Sequence, residues 1–381
     1  MFSIIRRTAT AGVTLGTHVR VDLAAISANT AAMVSAAGGT PVLAVVKANG
    51  YGHGLVEAAG AALLGGASRL GVAQLDEALA LREAGVTAPI LAWLPARPAD
   101  YDAAVLAGVE FGVEAPWRLN LVSEAAARNG IPARIHLEVD TGLSRGGATP
   151  DEWPLLVRAA RRAQAAGHIE VTGIFSHFAC AEILGHPSVA VQLTAFDDAL
   201  RYAADVGIEP ELRHIANSAA TLTRPESHYD LVRAGHALYG ISPVPHPGLR
   251  PAMSLRSTVA VVKRIRAGSG VMYGLTYRVP VDSTVALVPV GYADGLPRNA
   301  GAAGVGLRVA GRTHRVAGVL GMEQTMLDAG QDAPEPGDEV VVFGPGADGE
   351  PTVVELARRV GMVPAEIVCG IRATIPRVYD T

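Results

Sequence analysis

Lys47 closes an apolar run, VLAVVKA at 42–48. Apolar surroundings penalise the ammonium form of a lysine, lower its pKa and free its amine as a nucleophile. Such a lysine is suited to Schiff-base chemistry with a carbonyl compound. A side chain that snorkels to the rim of a sheet fits the same position. The sequence continues Ala48-Asn49-Gly50-Tyr51-Gly52-His53-Gly54. Its glycines either admit backbone close to a ligand or mark an ordinary loop.

Other reactive side chains follow at intervals. Arg145 comes after a turn in LEVDTGLSRGG (137–147), with Glu138 ahead of it. A guanidinium there can grip a carboxylate or phosphate with Glu138 as its brace, or form a surface ion pair. Ser176-His177-Phe178 offers a histidine that is either functional or a satisfied core residue. In Asn217-Ser218-Ala219 the Ser218 hydroxyl opens a helical stretch, as an N-cap or as part of an anion site at the same place. Arg233-Ala234-Gly235-His236 comes next. Later still are Tyr273 in Met-Tyr-Gly, Tyr292 and Asp294 in GYADG, and Met322-Glu323 in GMEQ. From spacing alone Tyr273 reads as a packed strand residue rather than a base.

Most of these residues lie at the ends of strand-like runs. Candidate strands cover 42–48, 70–74, 89–94, 109–113, 134–140, 169–178, 211–218 and 231–239, and Ala/Leu-rich segments with helical spacing lie between most of them. Apolar strands alternating with helices imply a parallel sheet buried on both faces. Eight units favour an α/β fold of the (β/α)8 barrel type over an open doubly wound sheet, and barrels carry chemistry at the C-terminal ends of their strands. From about residue 256 the texture turns to Gly, Pro and β-branched residues, with short strands expected at 257–265, 284–290, 306–310, 314–320 and 339–343. Helical spacing there is confined mainly to 353–361. The organisation expected is a leader over 1–17, a barrel over 18–255 and a smaller β-rich domain over 256–381. The strand HVRVDL at 18–23 is surplus to the eight and is free to join that second domain.

Composition narrows the partners. The 381 residues are 49% hydrophobic, with 32 basic and 36 acidic residues and no long basic run. A nucleic-acid or anionic-membrane partner is therefore not expected. No uncharged apolar run reaches the roughly 18 residues of a membrane span. Cys180 and Cys369 provide neither a disulfide framework nor zinc-site spacing, which suits a reducing, cytoplasmic setting. The first residues, MFSIIRRTATAGVTLG, read as a flexible leader, with a transit peptide as the alternative.

Taken together, the motifs resemble those of the alanine racemases, two-domain pyridoxal phosphate enzymes built from a barrel and a C-terminal β domain. AVVKANGYGHG is similar to the family's cofactor-lysine signature, and DTGLSRGG, SHF, ANSAA, VRAGHALYG, MYGLTY, VGYADGLPR and RVY follow in the family's order, spanning about residues 18–379. The resemblance implies that Lys47 holds pyridoxal phosphate and exchanges the substrate Cα–H on one face. Tyr273 would do so on the other face, reaching in from the second subunit of a head-to-tail homodimer. Tyr51, Ser218, Gly235 and the backbone of His236 would hold the phosphate. His177 would lie against the ring, Arg233 would contact the pyridine nitrogen, and Arg145 with the backbone of Met322 would orient the substrate carboxylate. Tyr292 is carried over as a supporting residue.

The resemblance has gaps. Glu138 stands where the family usually has a lysine, often carbamylated, and is expected to supply negative charge without modification. Glu323 replaces a usual aspartate, Val319 an entrance arginine, and Ala365 a tyrosine that narrows the pocket and helps bind the phosphate. The expected activity is racemisation of alanine, with specificity relaxed or shifted towards serine or larger aliphatic amino acids. A related aldolase or decarboxylase, a cofactor-binding protein without activity, and a degenerate scaffold are the competing readings.

Overall fold

The computed structural model describes residues 16–96, 99–242, 244, 246 and 248–381. The expected leader lies outside these residues up to position 15. Strand β1 (His18–Asp22) precedes a helix over Leu23–Ala36. Eight parallel strands follow: β2 (Val42–Val45), β3 (Arg69–Val72), β4 (Ile90–Ala92), β5 (Glu110–Val113), β6 (Ala133–Glu138), β7 (Ile169–Phe175), β8 (Leu212–His214) and β9 (Val232–Ala234). They stand in the order β8-β7-β6-β5-β4-β3-β2-β9, with helices in the connections. All four residues of β2 and of β5 are buried, as strands covered by helices on one face and by the barrel interior on the other must be.

The barrel is nearly closed, and the seam falls between β8 and β9. No ladder joins these two among the described residues. Single backbone bonds bridge them instead, from Asp230 N to Arg213 O (3.1 Å) and from Arg233 N to Ala216 O (3.0 Å).

Beyond the barrel come β10 (Met253–Thr258), β11 (Val261–Ile265), β12 (Gly270–Val271), β13 (Tyr277–Arg278), β14 (Ser283–Val288), β15 (Gly306–Val309), β16 (Arg312–Val316), β17 (Thr325–Gly330), β18 (Glu339–Phe343) and β19 (Arg377–Asp380). β12 and β13 form a small ribbon; the others join β1 in a nine-stranded sheet, ordered β11-β14-β17-β16-β15-β18-β10-β1-β19. The surplus first strand thus belongs to the second sheet, antiparallel to β10 and parallel to β19. The single strand expected over 257–265 is two. β10 pairs with β18, while β11 is an edge strand on β14, so the chain crosses the sheet at Val259-Ala260. β17 was hidden in the sequence because Asp328 interrupts its apolar pattern. In the fold that carboxylate accepts the Tyr277 hydroxyl at 2.7 Å. Among the described residues no helix is long and apolar enough to cross a membrane.

Asn29, buried on the helix after β1, ties the two sheets together. Its amide nitrogen donates to Leu238 O (3.0 Å) and Arg250 O (2.8 Å), and its oxygen accepts from Arg250 N (2.9 Å). Asn29→Ala removes three hydrogen bonds, one of them buried and two half-buried, and should cost roughly 2 kcal/mol. Urea unfolding is the check, with an unchanged midpoint contradicting the assignment.

Candidate active site

A cavity of about 560 Å³ opens at the C-terminal ends of the barrel strands. Lys47 reaches it from a turn that the sequence does not announce. β2 stops at Val45, and Ala48, Asn49, Gly50 and Tyr51 all have φ between 52° and 62°. This is a left-handed turn, which costs roughly 1–2 kcal/mol for each residue with a Cβ. Hydrogen bonds hold it: Gly50 N to Val46 O (2.8 Å), Gly52 N to Ala48 O (2.9 Å) and Leu55 N to the Asn49 side chain (2.9 Å). The second domain presses on it, for a Cβ on Gly52 would meet Val368 O at 2.3 Å. Burial, and then the nearby Arg145, lowers the pKa of Lys47. Its ammonium lies 5.9 Å from the centre of the Trp93 ring.

An anion-sized cradle lies next to the lysine. Gly235 N donates to Ser218 Oγ at 2.8 Å, and a Cβ on Gly235 would come within 2.8 Å of Tyr51 Oη. The helix Ser218–Thr223 is capped by Asn217, whose side chain accepts from Ala220 N at 3.0 Å. Ser218 is therefore not the N-cap that its position suggested, and its hydroxyl faces the cavity. Burial raises the Tyr51 pKa, so this side chain is a neutral hydroxyl; burial and Lys47 lower that of His236.

Opposite the cradle, Arg233 is enclosed. Nη1 donates to His214 O and Nδ1 (both 2.9 Å); Nη2 donates to Ser176 O (2.6 Å), Ile215 O (3.3 Å) and His177 Nδ1 (3.1 Å). Its Nε has no partner among the described residues and remains a donor to spare. Burial pulls the Arg233 pKa down to about 10, with Glu138 opposing the shift. His177 is kept neutral by burial and by Arg233.

The Arg145 loop is shaped by Asp140, whose carboxylate accepts from the backbone of Gly142, Leu143 and Ser144 at 2.9–3.1 Å. Glu138 lines the cavity beside it. Among the described residues no hydrogen bond joins the two, so any bracing acts through charge alone. That charge is partial, because burial, aided by Glu114, raises the Glu138 pKa to about 7 against the pull of Arg145 and Arg233.

The cavity therefore gathers Lys47, Tyr51, Glu138, Arg145, His177, Ser218, Arg233, Gly235 and His236. It does not gather Tyr273, Met322 or Tyr292, which lie on the second domain with 70%, 62% and 39% of their surface exposed. Tyr273 is presented by a turn between Met272 (φ 60°) and Leu275 (φ 50°). Val319 lines a different cavity with Arg298 and Arg315. Glu323 pairs with Arg372 at 3.3 Å. Ala365 packs against the core, while its neighbours Val363 and Pro364 line the cavity. Trp93 and Phe175 also line it and were not picked out in the sequence. Their signal was only an aromatic at a strand end. Gly71 and Gly112 make room for Trp93, since a Cβ on either would lie 2.4–2.6 Å from it.

Comparison with known proteins agrees with this geometry. Residues 21–243 match the alanine racemase N-terminal domain, and residues 252–379 match the C-terminal domain. The chain belongs to the alanine racemase family. It is 49% identical over 365 residues to an alanine racemase of Thermobifida fusca, covering 95% of this chain and 97% of that one. It superposes on the alanine racemase of D-cycloserine-producing Streptomyces lavendulae with a TM-score of 0.94 at 46% identity, covering 97% and 98% of the two chains. The alanine racemase of Bacillus anthracis gives 0.88 at 32% identity, covering 97% and 96%. The protein is thus an amino-acid racemase with alanine as the substrate that its relatives indicate.

Folding lifts the Glu138 carboxyl from an ordinary 4.5 to about 7. Between these values the unfolded chain releases a proton that the folded chain keeps, so stability falls as pH rises through this window. Glu138→Gln should be more stable than the parent by on the order of 3 kcal/mol above pH 7 and nearly equal to it at pH 4. Urea titrations at the two pH values would show a constant gap if the assignment were wrong.

Proposed function

We propose that this racemase acts on alanine with pyridoxal phosphate, through Lys47 on one face of the substrate and Tyr273 of a second copy of the chain on the other. The observation that carries the reading is the division of labour just described. One chain assembles the cofactor side of the site, and the same chain displays Tyr273 and Met322 at its surface, away from its own cavity. Exposed Leu275 and Val281 on the same domain add apolar area for a partner to cover.

The residues present suit the cofactor. Tyr51, Ser218, Gly235 and the His236 backbone would hold its phosphate. The spare Nε of Arg233 would donate to the ring nitrogen and, as a cation, would keep that nitrogen unprotonated. His177, held neutral, would lie along the ring. The bound cofactor delocalises the negative charge left when Cα–H is removed. Lys47, whose pKa is lowered by burial and then by Arg145, would take or return that proton. Arg145 and the backbone of Met322 orient the substrate carboxylate, with Tyr292 in support. Relatives named alanine racemase, and the Bacillus anthracis structure with bound L-Ala-P, favour alanine. Ala365 and Val319 favour admission of serine or longer aliphatic side chains as well.

The test is loss of Cα–H signal in D2O for single amino acids, paired with chiral chromatography. Wild type should convert L-alanine to D-alanine. Lys47→Ala and Tyr273→Phe should each lose racemisation by roughly 10²–10⁴-fold. Mixing and reassembling the two variants should restore about a quarter of wild-type activity, since half of random dimers carry one intact site. Absence of any rescue would refute the shared site, and full activity of Tyr273→Phe would refute the second base. Serine turnover orders of magnitude below that of alanine would remove the wider specificity.

A further inference from the structure

A single line of hydrogen bonds crosses the inside of the barrel and ends on Arg233. It begins at the face opposite the cavity, where Arg69 opens β3 and Glu110 opens β5. Arg69 Nη1 donates to both Glu110 oxygens, at 3.0 and 2.8 Å, and Arg134 Nε approaches one of them at 3.4 Å. Glu110 Oε2 lies 3.0 Å from His136 Nε2, His136 Nδ1 lies 2.9 Å from His214 Nε2, and His214 Nδ1 lies 2.9 Å from Arg233 Nη1. Both histidines are fully buried, and Glu110 nearly so. The passage is built for the rings: a Cβ on Gly173 of β7 would sit 2.0 Å from His136 Nδ1, and Phe175 stacks on His214 at 5.2 Å and 4°.

The direction of this line follows from its ends. Arg233 has only donors, so His214 Nδ1 accepts and His214 Nε2 carries the hydrogen. That hydrogen is donated to His136 Nδ1, so His136 Nε2 carries the next and donates it to Glu110. Burial keeps both imidazoles neutral. Burial also acts to raise the Glu110 pKa, but its bonds to His136 and Arg69 outweigh this and hold it at about 2, a pure acceptor. With its Nη atoms committed, Arg233 can turn only Nε towards the cavity.

We propose that Glu110 and His136, which touch neither cofactor nor substrate, are positioning residues that hold Arg233 as a fixed donor to the cofactor ring nitrogen. The inference rests on the cofactor reading above. Glu110 enforces the direction because an ionised carboxylate cannot donate. An amide in its place can donate to His136 Nε2. The hydrogens of both rings then sit on Nδ1, and His214 Nδ1–H faces Arg233 Nη1–H, donor against donor. Arg233 must move, and the ring nitrogen is left to take a proton from water.

Two measurements on the pyridoxal phosphate-loaded enzyme decide the matter. In wild type, nitrogen NMR of labelled histidines should show His136 and His214 as neutral Nε2–H tautomers across neutral pH. An Nδ1–H tautomer at either would overturn the proposal without any variant. With labelled cofactor, Glu110→Gln should move the ring-nitrogen signal towards the protonated form and raise cofactor-consuming transamination per racemisation about tenfold, the effect of one hydrogen bond. Glu110→Asp should restore both. A merely structural role would lower stability while leaving the ring-nitrogen signal in place, and that result would overturn the positioning role alone. Absence of any cofactor signal from wild type would overturn the cofactor reading itself.

Discussion

A parallel barrel has to close, and here closure rests on a cation. Between β8 and β9 the ladder is replaced by two backbone bonds and the Arg233 guanidinium, which takes the carbonyls of Ser176, His214 and Ile215. A buried charge is tolerated only when its hydrogen-bonding capacity is satisfied. The seam meets that need with carbonyls at the strand ends, of which His214 O also accepts from Ser176 N at 3.2 Å. Structure and chemistry therefore draw on the same side chain. The atoms that close the barrel are spoken for, and the one that is left faces the cavity.

Much of this was legible in the sequence because the physics is local. Runs such as VLAVVKA are apolar enough to be strands covered on both sides, and counting eight strand candidates indicated the barrel. The surplus strand at 18–23 found its place because Val19 and Val21 alternate with polar residues, as an antiparallel neighbour requires. The motifs around Lys47, Arg145, His177, Ser218 and Arg233 lie at strand ends, and the barrel brings those ends together. What stayed hidden depends on distant partners. β17 needed Tyr277 to accommodate Asp328, and the break at Val259-Ala260 follows from which strands lie at the two ends of the sheet. The raised pKa of Glu138 depends on enclosure, which a sequence pattern does not convey.

The left-handed turn after β2 shows a different limit. Nothing in Ala48-Asn49-Gly50-Tyr51 forces four successive positive φ values, and only Asn and Gly adopt them readily. The strain persists because Glu77 and the second domain pin the turn from outside, while the Asn49 side chain ties it to Leu55 N. Lys47 and Tyr51 are thus placed by tertiary contacts, which makes the second domain part of the cofactor side of the site as well as the bearer of Tyr273.

The pairing of β1 with both β10 and β19 also has a bearing on the order of events at the ribosome. Strand β1 is made before the barrel, yet both its neighbours, β10 and β19, are made after it. The barrel can close while β1 still shows two unpaired edges, with Val19 and Val21 uncovered, and such edges invite association with other chains. The clasp forms only when Arg377–Asp380 arrive. Arg377–Asp380 then act as the fastener of β1, and a nascent chain without them leaves one edge of that strand sticky.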